Sequence, residues 1–165
     1  MDPVLSATPQ RRSTLRSDSA SRTLEIGRAL GAAAEAGTLI ALTGPLGAGK
    51  TQLTKGIAQG LGVTGVVNSP TFVLMNEHPG RLRLFHVDAY RLGEPQEAWA
   101  AGLLDDRQAE GVTVIEWADR LEGWLPDERL EIELRQLATD EARELAWTAV
   151  GVRHARLAAA LEAAR

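Results

Sequence analysis

The sequence predicts an α/β domain: a mainly parallel central sheet flanked by helices, with an antiparallel hairpin at one edge. Three observations lead there. A short apolar run, Thr38-Leu39-Ile40-Ala41-Leu42, precedes a glycine-rich loop and then a segment with apolar residues Leu53 and Ile57 at helical spacing. Two further strand-like runs, Leu82 to Asp88 and Val112 to Glu116, each end in an acid. Leu130-Glu131-Ile132-Glu133-Leu134 alternates at period two and Leu145 to Val150 does so more weakly, as the arms of a hairpin turning near Thr139-Asp140 would.

Residues 1 to 18 are polar, rich in Ser and Arg and without periodicity, so they read as a disordered N-terminal tail. Residues 19 to 165 then form one domain. Its first helix is expected from about Ser21 to Ala36, with Ile26, Ala29, Leu30 and Ala33 on one face and Gly37 as the stop. After the strand at 38–42 a second helix runs from Lys50 to about Gln59, ended by Gly60 and Gly62. Phe72 to Met75 is expected to be a strand, His78-Pro79-Gly80-Arg81 a turn and Glu94 to Leu104 a helix. Pro126 breaks the chain before the hairpin, and the alanine-rich stretch from His154 to Arg165 is helical.

A chain of 165 residues is long enough to bury a core in one domain, and 44% hydrophobic with 24% charged residues is ordinary for a soluble protein. No apolar run approaches the roughly 18 residues of a membrane span, and the N-terminus lacks the apolar region of a secretory signal. The absence of cysteine excludes disulfides and thiolate metal sites and agrees with a cytoplasmic location. A net charge of −4 argues against a large nucleic-acid footprint on this chain alone. A role near RNA would need a partner to hold the RNA.

The chemistry concentrates in Gly44-Pro45-Leu46-Gly47-Ala48-Gly49-Lys50-Thr51, which reads G-x-x-x-x-G-K-T between a strand and a helix. Glycines there adopt backbone angles closed to other residues, so successive N–H groups can turn inward around an anion. The positive end of the following helix points at the same place. Lys50 would reach the β- and γ-phosphates of a nucleoside triphosphate, and the Thr51 hydroxyl would ligate Mg²⁺. Lys50 and Lys55 are the only lysines among 18 Lys plus Arg, yet one of them occupies the motif position.

In an open α/β sheet, ligands sit beyond the carboxyl ends of the strands, so Asp88 and Glu116 would point at the nucleotide. There an acid holds Mg²⁺ directly or through water, or orients the attacking water. Ser69-Pro70-Thr71 sits where a switch-like segment would deliver a hydroxyl to the metal or the γ-phosphate. His86 reads as structural, and Trp117 as an apolar wall of the site or as core. Arg91 and Arg143 are candidate phosphate or base contacts, and Trp99, Trp124 and Trp147 are packing residues or interface anchors.

Four pieces in order, Gly44 to Thr51, Ser69-Pro70-Thr71-Phe72, His86-Val87-Asp88-Ala89-Tyr90-Arg91-Leu92 and Val114-Ile115-Glu116-Trp117, carry a family resemblance. The sequence resembles the bacterial ATPase of tRNA threonylcarbamoyladenosine biosynthesis, the TsaE family (older name YjeE), over about residues 20 to 151. The resemblance implies a P-loop NTPase-like fold that joins a heterodimer of TsaB and TsaD. That assembly moves a threonylcarbamoyl group from its adenylate onto N6 of adenosine 37, in tRNAs reading codons that begin with A. TsaD would carry out the transfer. The present chain, a monomer when free, would hydrolyse ATP to reset the complex, meeting tRNA only through it.

By position, the resemblance implies that Lys50 and the amides of Gly44, Leu46, Gly47, Ala48 and Gly49 hold the phosphates, and that Thr51 and Glu116 hold Mg²⁺. Asp88 would support the metal or the water, Thr71 would act as a switch residue and Arg143 would lie near the nucleotide. One departure is visible: Pro45 stands where the family commonly has Asp, which leaves a cradle of backbone amides intact. The alternative is a P-loop small-metabolite kinase, but no compact lid segment is legible between Gly93 and Gly111. A GTP-binding regulator would carry Asn-Lys-x-Asp, which is absent.

Overall fold

The computed structural model describes residues 12–70, 74–97 and 105–165. In chain order the elements are β1 (Ser13–Ser17), α1 (Ala20–Ala33), β2 (Thr38–Thr43), α2 (Lys50–Gly60), β3 (Met75–His78), β4 (Leu84–Asp88), β5 (Val112–Glu116), β6 (Leu130–Gln136), β7 (Arg143–Ala149) and α3 (Val152–Ala163). The strands form one sheet in the order β1-β7-β6-β2-β5-β4-β3. Its centre is parallel, through the pairs β6–β2, β2–β5 and β5–β4. Both flanks are antiparallel: the expected β6–β7 hairpin continues into β1 on one side, and β3 closes the other.

Strands β2 and β5 are buried along almost their whole length, which is why they read as continuous apolar runs. One face of the sheet presents Ile40, Leu42, Val114 and Ile132 to α1, α2 and α3, which all pack on that side. The opposite face buries Leu39, Ala41, Val87 and Ile115 beneath Ala118 and Leu121. Among the described residues that face is covered by 3₁₀ turns at Asp106–Glu110 and Ala118–Leu121. The helix expected over 94–104 falls mostly on residues 98–104, outside the described residues.

Helix α1 starts where the Ser19 side chain accepts from the Arg22 N–H at 3.0 Å. It ends at Ala33, earlier than the expected Ala36, and there Arg81 reaches in to donate to the carbonyls of Gly31 and Ala34, each at 2.9 Å. Along their contact α1 and α2 touch backbone to backbone. A Cβ on Gly31 would lie 2.1 Å from the Ile57 carbonyl oxygen, and one on Gly56 2.2 Å from that of Leu24. These glycines seat α2, and with it the loop at its start.

Four further expectations are corrected. Residues 13–17 are not tail but β1, paired antiparallel with β7 from Ser13↔Trp147 to Ser17↔Arg143. Leu15 and Ser17 are its buried residues, and a single apolar side chain gives no readable alternation. The strand expected at 72–75 runs instead from Met75 to His78, so His78 belongs to β3 and not to a turn; residues 71–73 lie outside the described residues. On the neighbouring strand, pairing begins at Leu84, two residues after the expected start.

Candidate functional site

Beyond Thr43 the chain turns on three glycines with left-handed backbones: Gly44 (φ 137°), Gly47 (φ 78°) and Gly49 (φ 102°). At Gly44 crowding adds to the angle, since a Cβ there would meet the Leu134 carbonyl oxygen at 2.4 Å. Helix α2 then opens at Gly49 with no capping side chain and no acid in its first turn. Its leading N–H groups, which no helix can pair internally, therefore keep their positive field toward the cleft.

Lys50 is buried, and its ammonium donates to the Gly44 and Pro45 carbonyls at 2.5 and 2.8 Å. Nζ also lies 3.9 Å from the centre of the Trp117 ring. Burial lowers the Lys50 pKa from its ordinary value, against the opposing pull of Glu116, Asp119 and Asp88. Arg143 reaches the same loop through its carbonyls, donating from Nε to Ala48 at 3.1 Å and from Nη2 to Gly47 at 3.0 Å. Leu46 is 81% exposed, so its candidate contribution is its amide and not its side chain.

Parallel pairing brings the two acids together: Asp88 is registered with Glu116, and Glu116 with Leu42. Alternation places Glu116 on the α2 face of the sheet. Its Oε1 accepts from the Thr51 hydroxyl at 2.8 Å, and its Oε2 from the Ser69 hydroxyl at 3.4 Å and from His86 Nε2. The Thr51 and Ser69 hydroxyls are 2.9 Å apart. Asp88 accepts from the Tyr90 N–H at 2.9 Å. Burial raises the Asp88 pKa and Glu116 adds to that, while the Tyr90 amide, His86 and Lys50 work the other way.

Trp117 follows Glu116 with φ 59°, the one left-handed non-glycine backbone among the described residues. That conformation costs about 1–3 kcal/mol. Beside it, the ring centre of Trp117 lies 4.8 Å from that of Tyr90 as well as over Lys50. Together these groups line a cleft of about 410 Å³ bounded by residues 46–52, Ser69, Asp88, Tyr90, Glu116 and Trp117.

The fold thus gathers the loop from Gly44 to Thr51 with Asp88 and Glu116, and brings Arg143 to the loop's carbonyls. Thr71 lies outside the described residues. From the same segment, Ser69 is the hydroxyl found beside Thr51 and Glu116. His86, read from the sequence as structural, touches Glu116 directly. Strand alternation held the signal: His86 shares a face with Asp88, two residues on, and that is the face toward α2.

The parallel centre, with a glycine loop between a buried strand and a Lys-Thr helix start, places the fold in the P-loop NTPase-like class. Residues 17–145 match the family model described as "Threonylcarbamoyl adenosine biosynthesis protein TsaE", and the chain belongs to that family. It is 44% identical over 136 residues to the tRNA threonylcarbamoyladenosine biosynthesis protein TsaE of Bacillus subtilis, covering 82% of this chain and 84% of that one. The protein of the same name from Treponema pallidum is 41% identical over 129 residues, covering 78% and 95%. Among solved structures, the crystal structure of Bacillus subtilis YdiB superposes with a TM-score of 0.74 at 37% identity, covering 93% of this chain and 95% of YdiB.

Proposed function

We propose that the chain is a Mg²⁺-dependent ATPase that works with the TsaB–TsaD heterodimer in forming N6-threonylcarbamoyladenosine at position 37 of tRNA. In this reading it hydrolyses ATP to reset the transferase complex and leaves the group transfer to TsaD. The observation that carries it is the oxygen cluster of Thr51, Ser69 and Glu116 beside the Lys50 ammonium, at the mouth of the glycine loop. The names of the relatives supply the tRNA context. A cytoplasmic location goes with that role, and no helix among the described residues is long and apolar enough to cross a membrane.

The donors suit Mg²⁺. Among the described residues no group of three or more His, Cys, Asp or Glu could hold a metal by itself. Mg²⁺ needs no such cage, because it takes one or two carboxylates and completes its shell with water and phosphate oxygens. Thr51 and Glu116 would hold it, with Asp88 in support. When bound, it neutralises charge on the phosphates. The chain does the rest: loop amides and Lys50 bind the phosphates, Asp88 orients the attacking water from its Tyr90 anchor, and Trp117 walls one side of the cleft.

The test is ATP binding and turnover by the purified chain, alone and with the two partners. Lys50→Ala should weaken ATP binding and abolish tRNA modification in the reconstituted system. Glu116→Ala should still bind nucleotide, with a weakened Mg²⁺ response, while turnover falls by about 100-fold or more. Unchanged modification with Lys50→Ala would sink the reading. ATP consumption in step with a phosphorylated small molecule would point to a kinase instead.

A further inference from the structure

His86 is 0% exposed, and its Nε2 is bonded to Glu116 Oε2. Its other nitrogen, Nδ1, is buried without a hydrogen-bond partner among the described residues. An imidazole is a poor choice for filling apolar space, because each buried nitrogen left unpaired carries a desolvation cost. A leucine or phenylalanine would occupy the position without that cost. Packing therefore does not account for histidine at 86, and its bond to Glu116 is what offsets the burial.

We infer that His86 is a positioning residue for Glu116, holding one carboxylate oxygen so that the other stays aimed at Thr51. A glutamate side chain has three rotatable bonds, and its carboxylate turns easily about the last of them. Here both oxygens are tied: Oε1 to the Thr51 hydroxyl at 2.8 Å, Oε2 to His86 on the neighbouring strand. A metal-holding carboxylate is ionised and only accepts, so Nε2 carries the hydrogen. Removing that donor leaves Oε2 with only the longer Ser69 contact at 3.4 Å, so the carboxylate turns more easily away from Thr51 and the oxygen pair that would meet Mg²⁺ loses its fixed spacing. The inference rests on the reading of Glu116 as a Mg²⁺-holding residue. Partners of ligating carboxylates affect metal affinity by about 10- to 100-fold.

The experiment is calorimetric titration of a non-hydrolysable ATP analogue into the full chain across a Mg²⁺ series and in chelator, with ATP turnover measured over the same series. His86→Leu should raise the half-effective Mg²⁺ concentration by about 10- to 100-fold. Its affinity for the analogue in chelator should stay at the wild-type value. His86→Gln, whose amide nitrogen reaches the Nε2 position, should restore most of the Mg²⁺ response, whereas the shorter His86→Asn should not. Wild-type Mg²⁺ dependence in a folded His86→Leu chain would overturn the inference, as would an equal loss of affinity with and without Mg²⁺. If His86→Leu fails to fold, the Gln and Asn variants decide, and identical behaviour of the two overturns it. Analogue binding by the wild-type chain that ignores Mg²⁺ would sink the metal reading itself, before any variant is made.

Discussion

The two ends of β2 treat their polar groups in opposite ways. At the amino end the chain pairs them internally. The Gly37 N–H donates to Gly111 O at 2.8 Å, the Thr38 hydroxyl to Glu35 O at 2.7 Å, and the Leu39 N–H to His154 Nε2 at 3.0 Å. His154 in turn donates from Nδ1 to Val150 O at 3.1 Å, so the neutral ring is satisfied on both sides. At the carboxyl end the pairing is selective. The carbonyls of Gly44 and Pro45 are taken by Lys50 and those of Gly47 and Ala48 by Arg143, while α2 starts with no capping side chain. Basic side chains thus silence the negative ends of the loop's dipoles, and the positive ends set its field. A closed account at one end holds the sheet together; an open one at the other leaves room for an anion.

The contrast breaks most severely through α2, which carries the open end. In an exposed helix Gly→Ala is worth about 1 kcal/mol in favour of alanine. At Gly31 the new methyl would collide with the Ile57 carbonyl, so the helices must part. Gly31→Ala should therefore destabilise the fold by about 3 kcal/mol, with nucleotide affinity falling alongside, as denaturant titration and nucleotide binding would show. A smaller effect is expected at the closed end. His154→Phe leaves the buried Leu39 N–H unpaired and should cost about 2 kcal/mol in the same titration, with nucleotide affinity unchanged.

The gentlest test is pH. Burial lowers the His154 pKa from its ordinary 6.5, and His78 is lowered for the same first reason. As pH falls below 6.5 the unfolded chain takes up these protons before the folded one does. Stability should be flat above that range and decline as pH drops toward the folded pKa values. Denaturant midpoints measured from pH 8 to pH 5 check this, and His154→Phe should flatten part of the slope.

How legible these features are in the sequence depends on where a side chain's partner comes from. The central strands, α2 and the loop declare themselves through local spacing, as does the convergence of Asp88 and Glu116 once their strands are taken as parallel. Strand β1 does not, because an edge strand with Leu15 as its one buried apolar residue carries almost no period-two signal. The polar Met75–His78 strand is hidden for a similar reason. His86 was visible only as a residue sharing Asp88's face. Its contact with Glu116 crosses 30 positions of sequence and needs the β4–β5 register to be known. The partner of the last carbonyls of α1, Arg81, likewise lies far along the chain.

The pairing of β1 also has a bearing on assembly during synthesis. Ser13 lies opposite Trp147, and Arg165 donates to the Thr14 carbonyl across 151 positions. The first described strand thus leaves the ribosome long before its partner exists, and the sheet cannot gain that edge until β7 has emerged. Contacts of such long reach are slow to close. Until then the nascent chain carries the segment unpaired.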